Sequence, residues 1–208
     1  MGKKTLLYTT IGKLNKETYK NTTDAFLSWK EFDVVVFGED EHEELCKKYG
    51  FILDTDYQRS EFGLPLVRSL FESSQKYKGY GVYCYLNSDI KFPNSPQYII
   101  DLVDYDNFLL VGQRLDIYPD GTEKLHNPGG IDYYFYTPNF WDLSDMPNFS
   151  IARGRFDHWL MGKAFTEGNG AIIDLTKEWI PKHPEPINRT TGDFGELFSK
   201  NINPKLAY

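Results

Sequence analysis

Tyr83-Cys84-Tyr85-Leu86-Asn87-Ser88-Asp89-Ile90 is an apolar, aromatic-rich run that ends near a carboxylate, and the breakers Phe92-Pro93-Asn94-Ser95-Pro96 follow it. A buried strand that carries an Asp near its carboxyl end places that charge at the rim of an α/β sheet, where open sheets bind ligands. Because an unpaired buried charge is costly, we expect Asp89 to meet a metal ion, a basic neighbour or the start of a helix. Taken alone, the triplet leaves a cap or loop role as open as a metal role.

Apolar runs of strand length alternate with helical periodicity on both sides of this run. The pattern predicts strands over 5–11, 34–37, 51–53, 82–90, 108–111, 132–137 and 171–175, and helices over 17–29, 40–49, 65–77, 96–103 and 156–165. Residues 116–128 fit a hairpin or loop, and the proline-rich sequence from Trp179 onward fits a tail or arm rather than core. This alternation is typical of a three-layer α/β domain with a mainly parallel sheet.

The length of 208 residues fits one domain with a full core. We assign residues 1–187 to that domain and residues 188–208 to a carboxyl-terminal tail, or to a linker toward further domains of a longer polypeptide. The chain holds 15 Tyr. Two interpretations of these tyrosines stay open, a Tyr-rich sheet and rings that line a cleft for sugars or nucleotides.

The charge pattern argues against a nucleic-acid partner, because the net charge is −7 and the acidic residues are scattered. Cys46 and Cys84 have no metal-binding spacing, so we expect free, buried thiols in a reducing compartment. The amino terminus has no signal-peptide core, and no run is long enough to span a bilayer. We therefore expect a cytoplasmic protein with no membrane span.

Seven short segments, taken in order, resemble one known family. They are Thr9-Thr10-Ile11-Gly12, Phe37-Gly38-Glu39-Asp40, Gly63-Leu64-Pro65-Leu66-Val67-Arg68-Ser69-Leu70-Phe71, Leu86-Asn87-Ser88-Asp89-Ile90, Gly112-Gln113-Arg114-Leu115-Asp116, Gly129-Gly130-Ile131-Asp132-Tyr133 and Arg153-Gly154-Arg155-Phe156-Asp157-His158-Trp159-Leu160. The chain resembles nucleotide-sugar-dependent glycosyltransferases of the GT-A fold, above all short GT-A domains of large algal DNA viruses and of microbes. The resemblance covers about residues 6–183.

The resemblance implies a three-layer α/β/α GT-A fold and transfer of a hexosyl or deoxyhexosyl group from a nucleotide diphosphate sugar. The acceptor would be a hydroxyl on a glycan or glycoprotein, as in glycan biosynthesis and protein glycosylation by a viral protein.

The triplet Asn87-Ser88-Asp89 stands where that family has its DxD motif, with Asn in place of the first Asp. The resemblance implies that Asp89 ligates Mn²⁺ or Mg²⁺, and that Asn87 at best contacts a metal-bound water or the ribose. His183 matches a late histidine that some GT-A enzymes add as a further metal ligand. The alternative for His183 is a histidine on a surface loop.

The resemblance also implies a site for the nucleotide base near Thr9, Thr10 and Asp40, with Ser88 of the triplet among the residues that bind the nucleotide sugar. An acidic residue after the second strand accepts the N3 hydrogen of uracil in that family, which favours a UDP-sugar. Glu39 competes with Asp40 for this role, and either residue could instead cap the next helix. Arg68 could add a cation near the leaving group, or it could form a structural ion pair.

Two carboxylates are candidates for the base that takes the proton of the acceptor hydroxyl, Asp157 and Asp132. Capping explains Asp157 almost as well, and an enzyme that retains anomeric configuration needs no such base. Two other functions stay open. A nucleotidylyltransferase is the nearest enzymatic alternative, although its Gly-rich signature is missing, and a non-catalytic nucleotide-sugar or carbohydrate-binding domain is the other.

Overall fold

A computed structural model describes residues 2–153 and 155–185. The strands are β1 (Thr5–Thr10), β2 (Asp33–Phe37), β3 (Ile52–Asp54), β4 (Val82–Leu86), β5 (Phe108–Val111), β6 (Leu115–Ile117), β7 (Glu123–Leu125), β8 (Tyr133–Tyr136), β9 (Ala171–Asp174) and β10 (Lys182–Pro184). The helices are α1 (Lys16–Ser28), α2 (Glu43–Tyr49), α3 (Val67–Ser74), α4 (Gln97–Leu102) and α5 (Phe156–Glu167), with a 3₁₀ turn at Asp40–His42. The expected tail at 188–208 lies outside the described residues.

Seven strands form the main sheet in the order β3-β2-β1-β4-β8-β5-β9. Strand β8 runs antiparallel to both of its neighbours, and the other pairs are parallel. The sequence therefore predicted a mainly parallel sheet correctly. The antiparallel direction of β8 matters for the site, because β8 begins at the edge where β1 and β4 end.

The inner strands of the main sheet, β2, β1, β4, β8 and β5, are buried on both faces, and alternate residues pack into two separate cores. Leu7, Val36 and Cys84 point to the core that holds α1, α2 and α4. Tyr8 and Tyr85 point to the opposite core, which holds α3 and α5. This two-sided packing explains why the strands read as continuous apolar runs, and it confirms the three-layer α/β/α prediction.

The tyrosines of the central strands belong to the sheet itself. Tyr8, Tyr83, Tyr133, Tyr134 and Tyr136 are buried, and the hydroxyls of Tyr8 and Tyr136 form a hydrogen bond of 2.7 Å. The Tyr-rich-sheet interpretation is therefore correct for these residues. Cys46 and Cys84 are free and buried, as expected. Within the described residues, no helix has the length and apolar character needed to cross a membrane.

A small second sheet corrects the prediction of a tail from Trp179 onward. Strand β10 pairs with β6 in parallel, and β6 pairs with β7 as a hairpin. Trp179 is buried in the core beside Phe92 and Tyr133, and Glu185 is also buried. The prediction failed because prolines usually mark a loop, whereas here Pro181 precedes a strand of only three residues and Pro184 is its last residue.

Candidate functional site

A cavity of about 390 Å³ opens at the sheet edge where β1 and β4 end and β8 begins, and we call it the edge cavity. It is lined by Thr10, Tyr85, Asn87, Ser88, Asp89, Ile131, Asp132, Ile151, Ala152, Phe156 and Asp157. It therefore brings together six of the residues predicted to form the site. Among the described residues that line it, three are carboxylates and none is Lys or Arg.

Asn87 and Asp132 face each other across this edge because of the strand register. Leu86 pairs with Tyr133 in the antiparallel ladder, so the next residues out are also opposed, and the Asn87 backbone N–H donates to the Asp132 carbonyl at 3.0 Å. The Asn87 side-chain amide donates to Asp132 Oδ1 at 2.6 Å. An Asp at position 87 would place a second carboxylate there. The geometry thus accounts for Asn in the first position of the DxD-like triplet.

The other oxygen of Asp132 pairs with Arg114, which is buried among three carboxylates. Arg114 Nε donates to Asp116 Oδ1 at 2.8 Å, and Arg114 Nη2 lies 3.7 Å from Glu185 Oε1. His126 Nδ1 lies 2.7 Å from the second oxygen of Asp116. Arg114 therefore compensates a cluster of buried negative charge behind the edge cavity.

The pKa of Asp116 reflects this pairing. Burial alone would raise that pKa, but the hydrogen bonds from Arg114 and His126 outweigh burial and hold the pKa of the Asp116 carboxyl below its ordinary range. The carboxylate is therefore the stable form of Asp116 in the folded protein.

His183 lies beside Asp89, although 94 positions separate them in the sequence. The distance from His183 Nε2 to Asp89 Oδ2 is 3.3 Å. Strand β10 carries the histidine, and its pairing with β6 holds it there. On its other side, His183 Nδ1 lies 3.3 Å from Glu185 Oε1 and 3.8 Å from Asp116 Oδ1.

Two groups of side chains have metal-binding chemistry. Ligand atoms of Asp116, His183 and Glu185 lie within 4.8 Å of one another, but the Arg114 guanidinium already supplies a cation to both carboxylates. Asp89 and His183 instead offer an oxygen and a nitrogen beside the edge cavity, with a third of the Asp89 side chain exposed. A carboxylate oxygen and an imidazole nitrogen suit Mn²⁺, and a carboxylate also suits Mg²⁺.

Asp157 lies at the start of α5, on the wall of the edge cavity. Its Oδ1 is buried and accepts no hydrogen bond from the described residues, although His158 Nδ1 lies 3.2 Å away. Both oxygens of Asp132, by contrast, are engaged by Asn87 and Arg114. Asp157 is therefore the one of these two carboxylates that has an oxygen without a hydrogen-bond donor among the described residues. Ala152, which also lines the edge cavity, has a backbone φ of 63°.

Four predicted site residues lie outside the lining of the edge cavity: His183, which contacts Asp89 from β10, and Thr9, Asp40 and Arg68. Thr9 is fully buried, and its hydroxyl donates to the Leu86 carbonyl at 2.7 Å, so it joins β1 to β4. Asp40 is exposed at the start of the 3₁₀ turn. Arg68 lies on α3, with its guanidinium 3.6 Å from Glu72 Oε1 and 3.4 Å from the Ser144 carbonyl.

Four charged residues behind the cavity were not assigned a role from the sequence: Arg114, Asp116, His126 and Glu185. One local signal was present, since Arg114 and Asp116 are two residues apart and therefore share one face of a strand. Their partners come from other strands, and a single sequence contains no sign of such long-range pairing.

The fold resembles several solved structures. The inositol-1-phosphate CTP transferase from T. maritima matches with a TM-score of 0.56 and 15% identity, over 100% of this chain and 99% of that chain. GalNAc-T7, solved with UDP, GalNAc and Mn²⁺, matches with a TM-score of 0.59 and 13% identity, over 92% of this chain and 45% of that chain. The chain thus spans less than half the length of the GalNAc-T7 structure.

The glucosyl-3-phosphoglycerate synthase from Mycobacterium tuberculosis, in complex with Mn²⁺, UDP and phosphoglyceric acid, matches with a TM-score of 0.53 and 12% identity. That match covers 96% of this chain and 76% of that chain. No protein-family model and no curated protein sequence matches the chain significantly. At these identities the likeness establishes the fold: the chain has the mixed α/β architecture of GT-A nucleotide-diphospho-sugar transferases.

Proposed function

We propose that this chain is a divalent-metal-dependent glycosyltransferase that moves a sugar from a nucleotide diphosphate sugar, with UDP as the nucleotide, to a hydroxyl acceptor. One observation carries the proposal. On a GT-A fold, the edge cavity gathers the DxD-like triplet and the Asp157 carboxylate near the carboxyl ends of parallel strands, and His183 contacts Asp89 from outside the lining. Such edges are where open α/β sheets bind nucleotides.

The charge of the edge cavity supports a bound cation. Asp89, Asp132 and Asp157 line it, and no Lys or Arg of residues 2–153 and 155–185 does so. Arg114 pairs with Asp132 from behind the cavity. A diphosphate placed there without a cation would face uncompensated like charge. Asp89 and His183 would hold Mn²⁺ or Mg²⁺, and the bound ion would stabilise the negative charge of the leaving diphosphate as a Lewis acid.

The remaining chemistry is assigned to residues of the chain. The acceptor oxygen forms a bond to the anomeric carbon, the bond from that carbon to the diphosphate oxygen breaks, and the electron pair leaves with UDP. Asp157 takes the proton of the acceptor hydroxyl at its carboxylate, whose Oδ1 has no hydrogen-bond donor among the described residues. Asp132 keeps Asn87 and the β4 end in position through the hydrogen bond of 2.6 Å.

The match to the CTP transferase favours a second candidate function, nucleotidyl transfer, because that match spans both chains almost completely. The loop between β1 and α1 argues against it, since Gly12 is its only glycine. A nucleotidyltransferase would consume a nucleoside triphosphate such as CTP and release pyrophosphate, whereas a glycosyltransferase would release a nucleoside diphosphate from its donor.

A donor screen tests the proposal. The protein, with Mn²⁺ or Mg²⁺, is incubated with UDP-, GDP- and dTDP-sugars and with CTP plus a sugar phosphate, and released nucleotide is measured. Slow release of UDP from one UDP-sugar is the expected result. Release of pyrophosphate from CTP would favour the second candidate, and no turnover with any donor would leave a binding domain as the better account.

A further inference from the structure

A second cavity, of about 340 Å³, adjoins the edge cavity, and we call it the α5 cavity. It lies between α5 and the ends of β5 and β9, and Met161 and Phe165 line it from successive turns of the helix. Asp157 and Ile131 line both cavities. The carboxylate of Asp157, the proposed base, therefore lies at the boundary between the proposed donor site and a separate cavity.

Aliphatic and aromatic carbon dominates the wall of the α5 cavity. Six of its lining residues are apolar: Val111, Pro128, Ile131, Met161, Phe165 and Ile172. Phe165 is a large aromatic side chain at this wall, yet 72% of it is exposed. Solvent contact with such a ring is unfavourable, and an apolar ligand lying against it would remove that contact.

The polar residues at the far wall are already engaged with one another. Asp174 Oδ1 accepts hydrogen bonds from the Thr176 backbone N–H at 2.9 Å and from the Thr176 hydroxyl at 2.6 Å. The Thr176 hydroxyl in turn accepts from the Gln113 backbone N–H, and the Gln113 side-chain amide donates to the His126 carbonyl. A ligand with hydroxyls on every face would find few free partners here and would lose hydrogen bonds to water.

The charge of the lining side chains further restricts the class of ligand that fits the α5 cavity. Asp157 and Asp174 are the charged residues that line the α5 cavity, with His158 beside Asp157, so an anionic group would be repelled from two sides. A neutral, apolar group fits the lining better than a phosphate, a carboxylate or a bare sugar.

We propose that the α5 cavity binds an apolar group attached next to the acceptor hydroxyl, such as an aryl or alkyl aglycone of a glycoside. The inference rests on the proposed glycosyl transfer, and it specifies the acceptor class for the same site. The apolar group lies against Met161 and Phe165, and the adjoining hydroxyl reaches Asp157 at the boundary of the two cavities. The acceptor is thus selected by its apolar part as well as by its sugar.

Binding of matched glycosides tests this inference. Dissociation constants are measured by ligand-observed NMR for phenyl and methyl β-glucosides and for phenyl and methyl β-galactosides, with saturating UDP and Mn²⁺. Each pair differs only in the group that the α5 cavity would hold. Phenyl glycosides are expected to bind about 10-fold to 100-fold more tightly than their methyl counterparts, from burial of the ring.

Two variants locate the binding. Met161→Trp fills the cavity and should abolish the preference for phenyl, while Phe165→Ala removes the exposed ring and should reduce the preference severalfold. Leu102→Trp is the matched control, because Leu102 is 78% exposed on α4 and lies outside the cavity lining, so it should keep the preference. Circular dichroism confirms that each variant is folded.

The outcomes separate this inference from the proposed function, because UDP affinity is measured on the same samples. UDP binding with equal affinities for phenyl and methyl glycosides would overturn the α5 assignment and leave the donor site standing. A phenyl preference that survives both cavity variants would also overturn it. A phenyl preference without any UDP binding would mean that the cavity binds apolar groups but is no acceptor site, and both proposals would fall.

Discussion

Asn87 is the residue at which this chain departs from the DxD pattern, and its contact with Asp132 gives a physical reason. The amide donates to a carboxylate that also pairs with a buried arginine. A carboxylate cannot donate, so an Asp at position 87 would replace a hydrogen bond by repulsion between like charges. The departure is therefore tied to Asp132 and does not by itself weaken the assignment of Asp89.

Asn87→Asp tests this reasoning. We expect it to lower the free energy of unfolding by about 1–3 kcal/mol, because it leaves two carboxylates in contact without a proton between them. The double variant Asn87→Asp/Asp132→Asn exchanges donor and acceptor and should recover most of that loss. Urea denaturation of the two single variants and the double variant gives the coupling between the positions. Equal stabilities of Asn87→Asp and the wild type would contradict the account.

Asp157→Asn tests the proposed base. The amide keeps the shape of the side chain but cannot take a proton, so kcat for transfer should fall about 10²-fold to 10⁴-fold while UDP affinity stays unchanged. Asp132→Asn is the comparison, since both of its oxygens are already engaged, and we expect it to reduce stability more than turnover.

If Asp157→Asn turns over normally while Asp132→Asn is inactive, the two roles are reversed. If both variants stay active, no base is required and a mechanism that retains anomeric configuration becomes the better account.

Strand β10 is the element that the sequence predicted least well and on which the site depends. The inner strands of the main sheet, β2, β1, β4, β8 and β5, were predictable because they are mostly apolar runs buried on both faces. Strands β6, β7 and β10 have only three residues each, too few for a periodicity to appear. Their pairing joins residues far apart in the sequence, so the cluster around Arg114 could not be predicted, whereas Asp89 and His183 were found through motif resemblance.

His183→Ala tests what β10 contributes. If the imidazole binds the metal, its loss should weaken Mn²⁺ affinity by roughly one to two orders of magnitude, the usual cost of disturbing a metal site. Mn²⁺ titration followed by electron paramagnetic resonance measures this directly. His158→Ala is a suitable control, because His158 is 65% exposed on α5 and does not line the edge cavity. Unchanged Mn²⁺ affinity in His183→Ala would remove the histidine from the metal site.

Arg114→Met tests the link between the small sheet and the main sheet. The side chains of Arg114, Asp116, Asp132 and Glu185 are each at most 13% exposed. Removal of the only guanidinium among them leaves buried carboxylates uncompensated, which should cost about 3–5 kcal/mol of unfolding free energy. Lys20→Ala, which breaks an exposed pair with Asp24, should cost at most about 1 kcal/mol. Similar losses in the two variants, measured by urea denaturation, would contradict a structural role for Arg114.

At the scale of the whole molecule, the fold follows from a sheet buried on both faces, and the site follows from one antiparallel strand. Because β8 runs antiparallel to its neighbours, Asp132 lies at the edge where Asn87, Ser88 and Asp89 follow the end of β4. The helices α1 and α3 cover opposite faces and leave that edge open. In the described residues a buried core thus carries an acidic edge, and under the proposed function that edge binds a diphosphate together with a cation.

The central claim is that UDP binding requires a divalent cation held at Asp89. Calorimetric titration of UDP into the protein tests it most directly. The wild type and Asp89→Asn are each titrated with Mn²⁺ present and again with EDTA. The account predicts that UDP affinity falls at least about tenfold when Mn²⁺ is removed, and that Asp89→Asn binds UDP equally weakly with and without Mn²⁺. UDP affinity that is the same in Mn²⁺ and in EDTA, or unchanged metal dependence in a folded Asp89→Asn variant, would contradict it.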